Sequence, residues 1–172
     1  MEFDKLSKKQ RRIAVAKDVL KWLAMGRMTA KKKTYLAASQ LTPDGKINGF
    51  NCRACALGGM FACVVEQKKG VNLHEFNRGW ADEDGGYRDY GSQEQMHDML
   101  GEFFDADELR NIENAFEGRD REGGIVNGAG AFYDEMAFSE DALKFNAGIR
   151  SPKKRMQRIM RNIIRNEGRF IP

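Results

Sequence analysis

Hydrophobic residues recur at intervals of three and four in several stretches of the chain, and helix-capping residues precede most of these stretches. Ser7 and Gln10 have the spacing of a capping box, and the apolar positions that follow keep a helical period until Gly26. Glycine in this position is a common helix stop. The pattern therefore predicts a first helix over residues 8–25.

The same signals predict two consecutive helices in the second half of the chain. Ser92 and Gln95 form another capping box, which predicts a helix over residues 93–104. Asp105 then restarts the capping pattern, and a further apolar stripe continues to Gly118. We expect these two short helices to follow each other directly.

The C-terminal part of the chain contains a weaker helical pattern over residues 133–147 and a stronger one after Ser151. Ser151 has the character of an N-cap, Pro152 suits the first helical position, and Gly168 marks the end. The inward-facing stripe of this last helix consists of Met156, Ile159, Met160 and Ile163.

Residues 52–67 follow a different pattern, because they are apolar on nearly every side until Gly70. A helix of this kind is expected to be enclosed by the rest of the domain. The small residues Ala54, Gly58 and Ala62 fall on one side of such a helix and would let another backbone approach closely. We therefore expect this segment to be the centre of the hydrophobic core.

Other segments lack a helical period. Residues 28–36 and 71–76 are predicted to be extended, with a turn at residues 43–45, and the lysine run 31–33 is expected to point into solvent. Glycines make residues 118–130 the most flexible segment by composition. The predicted fold is mainly α: residues 1–172 form a single compact domain of about five helices with a minor extended or β component.

Composition narrows the class of protein. Leu, Ile, Val and Phe make up 36 of the 172 residues, and the net charge is only +4, which together favour a folded domain with a modest core. No apolar run reaches the roughly 18 residues needed to cross a bilayer, and the first 30 residues lack a signal-peptide pattern. Three cysteines, an odd number, favour a reducing compartment. We therefore expect a cytoplasmic protein with no membrane partner.

The small net charge conceals a strong segregation along the chain. Residues 1–33 carry a net charge of +8, residues 81–122 carry −10, and residues 144–172 carry +8. In one interpretation, the basic and acidic surfaces neutralise each other or remain solvated. In the other, the two basic ends form one positive face that meets nucleic acid or an acidic protein. The order of residues does not decide between them.

The last helix gives the clearest basic pattern, because its charged side chains recur at spacings of four, three and four. Arginine binds phosphate through two parallel hydrogen bonds, so a line of guanidinium groups suits a nucleic-acid backbone. No recognised nucleic-acid-binding module is present. The candidate nucleic-acid contacts are Lys154, Arg158, Arg161 and Arg165 in the last helix and Lys8 and Arg12 in the first.

Residues 78–91 are predicted to form a long irregular loop, since they contain four glycines, three aromatic residues and four acids. Long loops in compact domains are often functional, and Trp, Tyr and Arg are favoured at binding hot spots. The same side chains would equally suit folding back on the core. The candidate partner-binding residues are Trp80, Asp82, Asp84, Tyr87, Arg88 and Tyr90.

Cys52, Cys55 and Cys63, with His74 downstream, raise the question of a zinc site. On one continuous helix the first and third cysteines would lie about 16 Å apart along the axis, too far to share a metal. A zinc site would require the helix to begin after Cys55. We therefore expect buried, inert thiols and no bound metal or cofactor.

Calcium and catalytic signals are also weak. The acids of the loop do not match an EF-hand, because Tyr87 and Gln93 occupy the positions that need glycine and glutamate. Only His74 and His97 are available as histidine bases, and neither lies in a catalytic motif. No catalytic residue is assigned, and a metal-dependent enzyme is the third alternative.

Three short segments of the sequence resemble segments of a known class of proteins. Residues 12–20, 52–59 and 112–117 resemble small uncharacterised proteins encoded by bacteriophages and other mobile elements, and none of the three is a catalytic motif. The resemblance implies an accessory protein that binds host factors or nucleic acid. The leading hypothesis is a non-enzymatic binding protein for a host or phage protein, which uses the loop 78–91 and its charged faces. Nucleic-acid binding through the basic termini is the alternative.

Overall fold

The computed structural model describes residues 2–49, 52–81, 88–118 and 139–172. Within these ranges it contains six α-helices, five β-strands and two short 3-10 turns, Phe3–Lys5 and Leu73–Phe76. The helices are α1 (Lys8–Met25), α2 (Ala56–Gln67), α3 (Gln93–Gly101), α4 (Ala106–Glu117), α5 (Glu140–Phe145) and α6 (Pro152–Arg165). The strands are β1 (Met28–Ala30), β2 (Leu36–Ala38), β3 (Cys52–Ala54), β4 (Asn77–Ala81) and β5 (Arg88–Tyr90).

Local capping signals determine where several helices begin, as predicted. Both bonds of the Ser7–Gln10 capping box are present, and Gly26 ends α1 in the left-handed conformation at φ 73°. The second capping box, at Ser92 and Gln95, is also complete and starts α3. Ser151 caps α6 through its side chain. These boundaries follow from hydrogen bonds between residues three apart in the sequence.

The predicted minor extended component is a five-stranded mixed sheet in the order β1-β3-β2-β5-β4. β1 runs parallel to β3, and the other neighbouring pairs are antiparallel. Each strand is only three to five residues long, which is too short for an alternating pattern to identify. The helical prediction is therefore right, but the β content was underestimated.

The predicted helix over residues 52–67 is wrong at its start. Residues Cys52–Ala54 form β3, and Cys55 is the N-cap of α2, with its Sγ accepting a hydrogen bond from the backbone N–H of Gly58 at 3.4 Å. A run of apolar residues suits a buried strand and a buried helix equally, so the pattern could not locate the change. Every residue from Ala56 to Val65 is buried, which confirms this segment as the centre of the core.

The glycines of α2 permit the close packing that the sequence predicts. A Cβ atom at Gly58 would overlap the carbonyl group of Tyr35, and one at Gly59 would lie 2.9 Å from the Met28 sulfur. The backbone leading into β2 therefore crosses directly over α2. This crossing attaches the sheet to the central helix.

Two of the segments predicted as non-helical differ from expectation. Residues 73–76 form a 3-10 turn instead of an extended strand. The predicted irregular loop over residues 78–91 begins and ends in strands, because β4 and β5 pair with each other. Its middle part, residues 82–87, lies outside the described residues.

α3 and α5 end earlier than predicted, whereas α4 lies between Asp105 and Gly118 as predicted. α3 ends at Gly101 instead of residue 104, although Phe103 and Phe104 are buried as the stripe implied. The described part of the predicted helix 133–147 is α5. Of the glycine-rich segment 118–130, only Gly118 is described, at φ 66°.

α1, α3 and α4 pack against α2, and α1, α2 and α6 contact the sheet. Most buried apolar residues belong to one hydrophobic cluster. α6 lies along α1 in the opposite direction: Gly168, just after α6, approaches Lys9, while Met156 near the start of α6 lies close to the residues that follow α1. Among the helices described, none is long and apolar enough to cross a membrane.

Candidate nucleic-acid interface

The two basic ends of the chain meet in the fold, which the order of residues left undecided. α1 and α6 pack against each other in opposite directions. The Lys9 Nζ atom forms an ion pair with Glu167 Oε2 at 2.9 Å, which joins the start of α1 to the end of α6. The N-terminal and C-terminal basic segments therefore lie side by side.

α6 presents four of its basic residues to solvent along one face, as predicted. The side of the helix that carries Met156 and Ile163 is fully buried, so the opposite side faces outward. Among the described residues, none of these basic side chains has an acidic partner, although the Arg158 guanidinium lies 4.5 Å from the centre of the Phe145 ring. We call these four exposed residues the α6 basic stripe: Lys154, Arg158, Arg161 and Arg165.

Arg12 was predicted to be a nucleic-acid contact, but its side chain is committed to the protein interior. Only 13% of the side chain is exposed, and its Nη1 atom lies 3.0 Å from Glu108 Oε2. Its Nε donates a hydrogen bond to the Phe103 carbonyl, and its guanidinium lies over the Phe104 ring. The prediction is wrong for Arg12 because the turn before α4 covers this part of α1. Lys8, the other candidate on α1, is exposed.

The side chain of Arg11 is also bonded to other residues of the protein. Its Nε donates to the Leu6 carbonyl at 3.0 Å, and its Nη1 lies 3.8 Å from Glu102 at the end of α3. The acidic middle of the chain therefore neutralises the arginines at the start of α1. The neutralisation hypothesis is correct for this region and does not extend to the described surroundings of the α6 basic stripe.

No protein-family model, curated protein or solved structure matches the chain. The resemblance to phage-encoded proteins accordingly stays a prediction. A functional proposal therefore depends on where the charged residues lie in the described structure and on how exposed they are.

Only some of the partner-binding candidates in the loop 78–91 lie among the described residues. Asp82, Asp84 and Tyr87 lie outside the described residues, as does the side chain of Trp80. Among the others, Arg88 is exposed as expected.

Tyr90 was expected to be an exposed binding residue, but it is buried, with 4% of its surface accessible. Burial raises the pKa of its phenol group. The burial increases along β5 from Arg88 to Tyr90, because the end of this strand reaches the core. Tyr90 therefore belongs to the hydrophobic cluster.

The cysteines are buried and unreactive in character. Because α2 begins after Cys55, the distance argument against a zinc site does not apply. All three thiols are free and buried, and burial raises the pKa of each, that of Cys52 to about 12. His74 is exposed, with Nε2 3.3 Å from the Thr42 carbonyl oxygen. In the described ranges, no group of three or more His, Cys, Asp or Glu side chains could hold a metal ion.

A buried charged cluster that the sequence did not predict lies between α4 and the inner side of α6. Glu113 and Glu117 on α4 are both buried, and the pKa of each is raised to about 7, chiefly by burial. Arg155, on the inner side of α6, donates from Nη1 to the Phe116 carbonyl at 2.8 Å. The available signal was the spacing of the two glutamates, which places them one turn apart next to Ile112 and Phe116 on the apolar side of α4.

The lysine run 31–33 was expected to point into solvent, and this is wrong for Lys32. Its Nζ donates a hydrogen bond to the Glu117 carbonyl, and burial lowers its pKa. Lys33 is exposed, but its backbone N–H donates to Glu117 Oε1 at 3.1 Å. Hydrogen bonds from Lys32 and Lys33 therefore hold the connection between β1 and β2 against the end of α4.

Proposed function

We propose that the protein is a non-enzymatic binding protein whose α6 basic stripe contacts the phosphate backbone of a nucleic acid. One observation supports this proposal. Four exposed cations follow a single helix face with no acidic partner among the described residues, whereas the arginines at the start of α1 are paired internally. Unpaired surface cations on a packed helix are available to a polyanion without first breaking an internal ion pair.

The dimensions of the stripe suit a nucleic-acid backbone. Residues 154 and 165 are eleven positions apart, which corresponds to about 16 Å along the helix axis. Duplex DNA carries roughly ten phosphates over such a length. Arginine side chains on this face would each reach a phosphate and form two parallel hydrogen bonds with it.

The neighbouring helix adds positive charge. Lys17 and Lys21 are exposed on α1, which packs along α6. The proposed contacts are all of the phosphate-binding type, and such contacts position a protein on nucleic acid without selecting a base sequence. We therefore expect binding that is insensitive to base sequence and strongly dependent on salt.

The proposal is tested by fluorescence anisotropy with labelled single-stranded DNA, duplex DNA and RNA between 20 and 200 mM salt. The double variant R161Q/R165Q removes two cations of the stripe. We expect its affinity at the lowest salt to fall by about tenfold or more, and the slope of log K against log salt to decrease by about two, one for each lost phosphate contact.

The matched control is K5Q/K69Q, which removes the same charge from two exposed lysines that pair with Glu2. This control should bind as the parent protein does. Equal weakening in both variants would indicate a response to net charge alone. Absence of binding by the parent protein to every probe at low salt would refute the proposal.

A protein partner on the aromatic and acidic loop is the second candidate. The observation that favours it is that β4, where the predicted loop begins, is an edge strand of the sheet. Capture from host lysate after nuclease treatment, with Tyr87→Ala as the comparison, tests this hypothesis. Nuclease-resistant capture that the substitution abolishes would support it, and equal capture by both proteins would exclude the loop.

A further inference from the structure

Arg158 differs from the other members of the α6 basic stripe because its guanidinium group lies over an aromatic ring. The guanidinium carbon is 4.5 Å from the centre of the ring of Phe145, the last residue of α5. In the described parts of the chain, neither Arg161 nor Arg165 makes such a contact. Lys154 has no planar group to place on a ring. The stripe therefore contains one cation with an aromatic support.

The supporting ring is itself held in place by the segment that follows α6. Phe145 packs edge-on against Phe170, with the ring centres 5.1 Å apart and the ring planes at 78°. Phe170 is buried, and its backbone N–H donates to Glu108 Oε1 on α4 at 2.6 Å. The Phe145 ring is therefore fixed between α6 and a segment that is bonded to α4.

That segment is also bonded to the helix that carries Arg158. The backbone N–H of Ile171 donates to Asn162 Oδ1 at 2.9 Å, and Asn162 Nδ2 donates to the Ile171 carbonyl at 2.6 Å. Asn162 lies one turn after Arg158 on α6. These bonds keep the arginine and its supporting ring in a constant relative position, so little conformational entropy remains to be lost when a ligand binds there.

One face of the Arg158 guanidinium remains available. The group is planar and has two faces, of which the Phe145 ring covers one. Arg158 is exposed, so the other face is accessible to solvent. Unpaired nucleobases stack on aromatic rings and on arginine planes. The accessible face is therefore chemically suited to an unpaired base.

We propose that Arg158, supported by Phe145, is a stacking site for an unpaired nucleobase, and that single-stranded nucleic acid is the ligand that uses every contact of the α6 basic stripe. This inference rests on the proposed function and adds to it the group that contacts a base. Stacking tolerates any base, because every base has a π-face. The site therefore distinguishes unpaired from paired strands without selecting a base sequence.

The neighbouring cations are placed to hold the backbone of the same strand. Arg161 and Arg165 follow Arg158 by one and two helical turns on the same exposed face. Proteins that bind single strands combine such a basic surface with groups on which the bases stack. A duplex offers its phosphates to these arginines, but its bases are already stacked on one another. Arg158 should therefore contribute a base contact only with an unpaired strand.

The test separates the base from the phosphates. Fluorescence anisotropy at low salt compares a labelled thymidine oligonucleotide of about twelve residues with an abasic strand of the same length and charge. The parent protein should bind the thymidine strand about fivefold more tightly or better, because one stacked base contributes at least this much. The measured quantity is the ratio of the two affinities.

The variant R158K keeps the positive charge and removes the plane, and R161K is the matched control on the same face. We expect the ratio to fall to about one in R158K and to stay at the parent value in R161K. Phe145→Leu should also lower the ratio, because the guanidinium loses its support. A variant that is partly unfolded binds both strands less well by the same factor, so the ratio does not depend on how much of the protein is folded.

The failure of this inference and the failure of the proposed function give different results. Equal affinity of the parent protein for the thymidine and abasic strands would overturn the stacking site and leave the phosphate contacts intact. A preference for thymidine that persists in R158K would overturn the assignment to Arg158. Absence of binding to both strands and to duplex DNA would refute the proposed function, and the stacking site with it.

NMR spectroscopy detects the stacked base directly. The base and the Phe145 ring would lie on opposite faces of the Arg158 guanidinium, and both ring systems shift the resonances of protons above them upfield. The Arg158 Hε resonance, assigned by its loss in R158K, should move further upfield when the thymidine strand binds and should not do so with the abasic strand. The same shift with both strands would refute the stacking site.

Discussion

The arginines at the start of α1 and those along α6 have the same chemistry and similar helical spacing, yet the fold uses them differently. Arg12 is mostly enclosed and paired with Glu108, whereas Arg161 and Arg165 are exposed, with no acidic partner among the described residues. The difference arises from what covers each helix, because the α3–α4 turn brings its acids onto α1. The number of basic residues in a segment thus does not show how many of them remain free of internal ion pairs and exposed to a partner.

The same contrast occurs within α6 itself. Arg155 is 8% exposed and donates from Nε to the Ile149 carbonyl at 2.6 Å and from Nη1 to the Phe116 carbonyl at 2.8 Å. Arg158, one turn later, is exposed and contacts an aromatic ring. A structural arginine and a candidate binding residue are therefore only three positions apart on the same helix.

The largest expected effect is the loss of Arg155. Arg155→Ala should destabilise the fold by about 3 kcal/mol, because the buried Phe116 carbonyl and the part-buried Ile149 carbonyl lose their donor and Glu117 loses a nearby cation. Urea denaturation at pH 7 measures this change. Arg155→Lys should recover part of the loss, since lysine keeps the charge without the planar fork. A cost below 1 kcal/mol would show that Arg155 is not a structural residue.

Replacement of Arg12 should give the second-largest loss in the free energy of unfolding. Arg12→Ala is expected to cost about 2 kcal/mol, because it leaves the mostly buried Glu108 carboxylate without its cation and the Phe103 carbonyl without its donor. A double-mutant cycle with Glu108→Gln should give a coupling energy of about 1 kcal/mol. Additive losses would contradict the assignment of Arg12 to an internal pair.

Replacement of Arg158 should give an intermediate loss in the free energy of unfolding. Arg158→Ala is expected to cost about 0.5–1 kcal/mol through loss of the cation–π contact with Phe145. The same substitution in a Phe145→Leu background should have almost no effect on stability. If it costs equally in both backgrounds, the ring contact is not the cause.

The smallest effect on folding is expected at Arg161. Arg161→Gln should change the free energy of unfolding by less than about 0.5 kcal/mol, because the described structure gives it no ion pair. The same variant should lower the salt slope of nucleic-acid binding by about one. A substantial loss of stability with unchanged binding would reverse the comparison between the two arginine groups.

Elements with local signals could be predicted from the sequence, and elements that depend on distant partners could not. Ser7, Ser92 and Ser151 mark helix starts because a cap bonds within its own turn. β3 was read as helix because its neighbours, β1 and β2, are distant in sequence. The exposed residues of the candidate interface were found by periodicity. The burial of Arg12 was not, since the segment that covers it lies about 90 positions further along the chain.

The sequence by itself determined the helical framework, the central position of α2 and the exposed face of α6, because each depends on the spacing of apolar residues within one segment. Only the tertiary structure decided that the two basic ends adjoin, that acids cover the start of α1, and that Glu113 and Glu117 are buried against the β1–β2 connection. These outcomes depend on contacts between residues up to about 160 positions apart, as in the pair Lys9–Glu167. Electrostatic energy depends on distance and on access to water, and both are properties of the folded chain alone.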